Sequence, residues 1–130
     1  VAGAHLHAAW GLAFFVEWRA LDRAERLVRD RLADLDGRRY DLLRPSAEAL
    51  ESKYPEAASL LYRCMVESVL GRGSSKQYVY AARDLTAGTR LAAYLPQPGS
   101  IESHADFLAR LRKSHGRKYG FWELVEARER

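Results

Sequence analysis

Between Tyr78 and Leu95 the sequence repeats with a period that an α-helix satisfies. Tyr78, Ala81, Ala82, Leu85, Thr89, Ala92 and Leu95 recur at intervals of three and four residues, which a turn of about 3.6 residues places on one face. A strand would need alternation by two. No Asn-Gly or Asp-Gly turn joins alternating runs, and β-branched residues are sparse. Ala, Leu, Arg and Glu dominate, all strong helix formers. The chain is therefore expected to be all-α.

Breakers divide it into seven segments. A first helix is expected over His5–Trp18 and a second over Ala20–Asp34, ended by Asp36-Gly37. Tyr40, Leu42 and Leu43 form a short apolar patch. Pro45 then opens a third helix to Ser52, and Pro55 a fourth to Leu70. Gly71 and Gly73 stop the fourth, which reads as central and buried. Ser74 with Gln77 has the spacing of a capping box for a fifth helix, Ser75–Tyr94. Pro96, Pro98 and Gly99 break the chain before a sixth, from Ser100 to Gly116. A seventh runs over Gly120–Glu129. Links this short make neighbours antiparallel. The expected architecture is stacked helix hairpins, as a compact bundle or a short tetratricopeptide-like α-solenoid. No clean repeat at about 34 residues is present, so the solenoid alternative rests on helix lengths and order.

With 130 residues the chain fits one domain. It begins at Val1, which reads as the C-terminal part of a longer protein. The first helix is apolar nearly all round, with Trp10, Leu12, Phe14, Phe15, Val16 and Trp18. Such a helix wants cover on several sides, either from an upstream domain of the same chain or in a homodimer. The apolar stretch from Ala8 to Trp18 is too short to span a membrane. A single cysteine, Cys64, excludes an internal disulfide and a Cys-based zinc site, as expected of a cytoplasmic protein.

The formal charge of +4 is a modest excess spread over many arginines, and its densest run lies in one segment. Arg110, Arg112, Lys113, His115, Arg117 and Lys118 occur with no acid among them, and Tyr119, Phe121 and Trp122 follow. Cations beside aromatic rings can grip phosphates and stack bases, so these six are the candidate anion- or partner-binding residues. The competing explanation is structural: cations suit the negative end of the sixth helix, and the aromatics dock the last helix. Other chemistry finds less support. His5-x-His7 lacks an acidic ligand nearby, and His104 and His115 stand three turns apart, so no metal site is expected. Cys64 lies in an apolar helix, where a thiol is a small hydrophobe with a raised pKa. No Gly-x-Ser-x-Gly elbow occurs. The Gly71–Lys76 stretch follows a helix and lacks phosphate-loop spacing. Glu48, Glu51, Glu56 and Glu67 form no Glu-x-x-His pair, which argues against a di-metal carboxylate bundle. Neither a catalytic set nor a cofactor is expected.

Three strings carry a resemblance: Tyr78-x-x-Ala81-Ala82-Arg83-x-Leu85; His104-Ala105-x-Phe107-Leu108-x-x-Leu111-Arg112; and His115-Gly116-Arg117-Lys118 with Phe121-Trp122. From about Tyr40 to Val125 the chain resembles an uncharacterised bacterial family of helical proteins, a domain of unknown function. It is more remotely similar to the helical tail of SWIM-type zinc-finger proteins, where a Leu-Arg-x-x-His-x-Arg-Lys string also follows a helix pair. The resemblance implies an α-solenoid-like tail and no activity. The zinc-binding Cys and His of a SWIM motif are absent, so zinc does not carry over. The function expected is a helical protein-interaction or scaffolding domain, with nucleic-acid or polyanion binding through residues 110–118 as the alternative.

Overall fold

The computed structural model describes residues 2–96 and 99–129, with the backbone alone for residues 2–6. Among the described residues every regular element is helical. The first, α1 (Ala2–Glu17), turns into α2 (Leu21–Arg31) through a tight ending. There the Arg19 N–H reaches the Val16 carbonyl at 3.1 Å and the Ala20 N–H the Phe15 carbonyl at 2.8 Å. The geometry needs a left-handed residue, and Arg19 takes it at φ 60°. A 3-10 turn, Leu32–Asp34, extends α2. The loop that follows lies hard against a later helix. A Cβ on Gly37 would sit 2.5 Å from the Cys64 carbonyl oxygen and 2.6 Å from the Ser68 Cβ. Gly37 is thus required by close approach.

Next comes α3 (Tyr40–Leu50), which starts five residues before Pro45 instead of at it. The apolar patch Tyr40–Leu43 is its first turn. Pro45 removes the bond to the Asp41 carbonyl, but both residues are exposed, so solvent can take the freed acceptor. Pro55 does open α4 (Pro55–Arg72). Gly73, at φ 63°, closes it, with the Gly73 N–H on the Leu70 carbonyl at 3.1 Å and the Ser74 N–H on the Val69 carbonyl at 3.2 Å. The Ser74–Gln77 capping box is not formed. A 3-10 turn, Ser75–Gln77, occupies the place, and α5 runs Tyr78–Ala92. The side-chain cap is found at α6 (His104–His115), where the Ser103 hydroxyl accepts from the Asp106 N–H at 3.1 Å. This helix begins four residues after Ser100, where the sequence placed it. The expected break at Pro98 lies outside the described residues. Last is α7 (Tyr119–Glu129).

Two apolar clusters share α4. Its first half packs with α1, α2 and α3 through Leu12, Val28, Leu43, Leu50, Leu61 and Met65. Its second half meets α5, α6 and α7 through Val66, Leu70, Leu85, Phe107, Phe121 and Trp122. Even the polar Ser59, Tyr62 and Arg63 of α4 are buried. The helix is central, as expected, and α3 and α5 flank it. No helix of the described residues is long and apolar enough to cross a membrane.

Candidate functional site

The basic segment 110–118 ends α6 and leads into α7. Arg110 is clamped between two acids, Glu67 at 2.6 Å and Glu102 at 2.9 Å, and stacks 5.4 Å from the Phe107 ring centre. Both acids hold its guanidinium firmly in the charged form. Arg112 lies 4.0 Å above the Trp122 ring. The indole N–H of Trp122 donates to the His115 carbonyl at 3.0 Å, tying the end of α6 to α7. His115 is half-buried, and desolvation, followed by the Lys118 charge, lowers its pKa. Lys113 and Arg117 are exposed and Lys118 half-buried. Arg110, Arg112 and the His115 carbonyl thus take part in contacts between helices.

The other histidines follow the same pattern. His104 is half-buried, 2.9 Å from the Thr89 hydroxyl and tilted against Phe107. Burial lowers its pKa, as does the Arg63 charge. His7 is exposed, and the His5 side chain lies outside the described residues. Among the described residues no group of three or more His, Cys, Asp or Glu side chains could hold a metal.

A different set of side chains forms a continuous surface across α1, α3 and α5. Trp10 and Phe14 on α1 are 54% and 55% exposed, and Trp18 just past its end is 71% exposed. Their spacing of four places them along one strip of the helix. Arg39, at the start of α3, lies 5.7 Å above Trp10. Arg44, one turn into α3, stacks between Tyr40 at 5.5 Å and Tyr80 of α5 at 5.9 Å. Arg83 also lies over the Tyr80 ring, at 5.9 Å. Rings and guanidinium planes thus alternate over three helices. Tyr40 and Arg44, and Tyr80 and Arg83, stand one turn apart, but the sequence does not reveal that the helices meet, because the contacts of Arg39 with Trp10 and of Arg44 with Tyr80 join residues tens of positions apart.

Arg44 also reaches inward. It makes two bonds, at 2.9 and 2.6 Å, to the carboxylate of Asp84, which is 2% exposed. Burial pushes the Asp84 pKa up while Arg44 pulls it down. Beside this pair the Tyr62 hydroxyl donates to Glu51 at 2.6 Å, and Arg90 pairs with the same acid at 2.8 Å. Arg128 of α7 donates to the Thr86 hydroxyl at 3.1 Å. Together these groups line a polar hollow that adjoins the stacked face at Arg44 and Arg83.

On another side of α4 lies a cleft of about 490 Å³, between α2, α4 and α6. Leu32, Leu60, Ile101 and Cys64 give it apolar walls, and Arg29, Arg63 and Arg110 reach it from three helices. Desolvation raises the Cys64 thiol to about 11, as its apolar setting led one to expect.

Fold and surface define an all-helical domain with an arginine–aromatic face and a separate, partly apolar cleft. The chain belongs to a family of unknown function, DUF6880, whose family model matches residues 1–124. The match takes in α1 and α2 as well as nearly all of the segment from Tyr40 onward that carried the resemblance. No curated protein and no solved structure matches the chain.

Proposed function

We propose that this domain is a protein-interaction module that binds a protein partner across the stacked face of α1, α3 and α5. The observation behind the reading is the alternation of exposed Trp10, Tyr40 and Tyr80 with Arg39, Arg44 and Arg83. Trp, Tyr and Arg are the residues that concentrate binding energy at protein interfaces. Rings already held by guanidinium planes lose little freedom when a partner covers them. The packing of α1 with α3, of α2 with α4 and of α5 with α7 supports a short tetratricopeptide-like solenoid. The partner is a second protein, an upstream domain or a second copy joined through α1. The lone thiol of Cys64 fits a cytoplasmic setting.

A photo-crosslinking residue placed at Tyr80, and separately at the exposed Ala109 of α6, tests this in the native cell. The expected result is one discrete adduct from position 80, none from 109, and loss of the adduct with Trp10→Ala/Tyr40→Ala. Equal labelling from both positions, or none from either, overturns the proposal. A low-salt gel shift tests the polyanion alternative. Retention of a probe by the wild type but not by Lys113→Gln/Arg117→Gln/Lys118→Gln would favour that alternative over the stacked face.

A further inference from the structure

We propose that the end of the domain where α4 and α6 finish and α5 and α7 begin is a docking surface for an anionic lipid membrane. Two acid-free runs of sequence, 68–82 and 107–122, meet there. They hold seven of the chain's 21 lysines and arginines and none of its 17 acids. The rest of the chain is therefore net negative, and the positive charge has one pole. Ring contacts bring the runs together. Tyr78, the first residue of α5, packs edge-on against Phe121 of α7 at 5.9 Å, and a Cβ on Gly120 would lie 3.9 Å from the Tyr78 ring. Trp122, the neighbour of Phe121, holds the end of α6 through Arg112 and the His115 carbonyl. Arg72, the last residue of α4, and Lys76 stand a few residues before Tyr78.

These charges are unmatched within the domain. Of the seven, only Arg110 forms an ion pair with a described residue. Of the acids bordering the runs, Glu67 is held by Arg110 and Asp84 by Arg44. Asp106 lies at the opposite end of α6, and Glu123 is exposed in α7. Arg72 donates to the Ser68 carbonyl and hydroxyl of its own helix, and Lys76, Arg112, Lys113 and Arg117 are exposed. The carboxyl ends of α4 and α6 favour cations, but each supplies only about half a negative charge, and the amino ends of α5 and α7 oppose it.

The shape of this end selects the polyanion. A single strand of nucleic acid is held in a basic groove with rings on which its bases stack. Here Phe121 and Trp122 are buried, and the six unpaired cations line neither the cleft beside α4 nor the polar hollow. The most open ring is Tyr119, 70% exposed, directly after Arg117 and Lys118. A tyrosine among cations suits the headgroup level of a bilayer, and clusters of about four to eight lysines and arginines are what anionic lipid attracts.

Sedimentation with lipid vesicles tests the proposal. In about 0.1 M salt the protein should pellet with phosphatidylcholine vesicles that contain about a third phosphatidylserine, and not with phosphatidylcholine alone. Each cation at an anionic surface strengthens binding about fivefold. Lys113→Gln/Arg117→Gln/Lys118→Gln should therefore weaken it about a hundredfold. Arg23→Gln/Arg26→Gln/Lys53→Gln removes the same charge from exposed positions outside the two runs and should stay within about twofold of the wild type. Should the first triple variant unfold, Lys76→Gln/Lys113→Gln, at two exposed positions on different helices' ends, gives a second reading and should weaken binding about 25-fold. Three results would each overturn the proposal: no pelleting with the anionic vesicles, equal losses in the two triple variants, or tighter binding to a DNA or RNA oligonucleotide than to the vesicles. The last would assign this end of the domain to nucleic acid.

Discussion

Asp84 tests most sharply whether burial or pairing governs the interior. Its carboxylate is 2% exposed and is satisfied by two bonds from Arg44. Arg44→Met keeps an unbranched apolar stem between Tyr40 and Tyr80 but leaves Asp84 without its cation. Removing one partner of such a pair costs about 3–5 kcal/mol, about a fifth or more of the ~5–15 kcal/mol that holds a domain folded. Urea unfolding at pH 7, followed by tryptophan fluorescence, reads the loss directly. Arg44→Met/Asp84→Leu should recover most of it, because the double variant buries no lone charge. Acid should separate the two. Burial already raises the Asp84 pKa, and once Arg44 is gone only the smaller pull of the Arg83 charge opposes it. The folded state then keeps a proton that the unfolded chain, with a carboxyl pKa of about 3.9, releases. Stability of the single variant should therefore rise as pH falls through the raised pKa toward about 3.9, more steeply than in the wild type. A single variant that loses less than about 1 kcal/mol, or a double variant no better than the single, would refute the reasoning.

Three further substitutions probe the backbone. Gly37→Ala forces a Cβ against the Cys64 carbonyl and the Ser68 Cβ, neither of which can swing away, so denaturation should show a loss of about 1–3 kcal/mol. Arg19→Gly should raise the melting temperature slightly, because it relieves the left-handed strain at φ 60°; that strain is about 1 kcal/mol, partly offset by the freer unfolded chain. Ser103→Ala removes the cap on the Asp106 N–H and should cost about 1 kcal/mol in urea unfolding.

The helices were legible because their faces are periodic, and the errors fall where tertiary contact outweighs local pattern. Pro45 looked like a helix start, yet the apolar turn Tyr40–Leu43 is helical and Leu43 is fully buried. Ser74 and Gln77 had capping-box spacing, but the chain tightens into a 3-10 turn there. On α5 the periodic face named Thr89, which is exposed, and passed over Asp84 and Gly88, which are buried. A buried carboxylate has no signature in a hydrophobic pattern, because its partner Arg44 stands forty positions away. The segment 110–118 stood out only because its cations are contiguous in sequence, whereas Glu67 and Glu102, which hold Arg110, come from elsewhere.

Arginine rather than lysine recurs at these junctions because a planar guanidinium can stack on a ring while its edge donates to a carboxylate. Arg44 and Arg110 both do this with short bonds, and geometry alone would rank them equal. Solvent separates them. The Arg44 and Asp84 side chains are 22% and 3% exposed, whereas Arg110 and its partners Glu67 and Glu102 are 51%, 41% and 35% exposed. Water and salt screen an open pair, which is worth about 0–1 kcal/mol however short its bonds. Arg110→Gln should therefore stay within about 1 kcal/mol of the wild type in urea unfolding, and the difference should shrink further at high salt. If Arg110→Gln costs as much as Arg44→Met, then exposure is not what sets the worth of these pairs, and the ranking by burial fails.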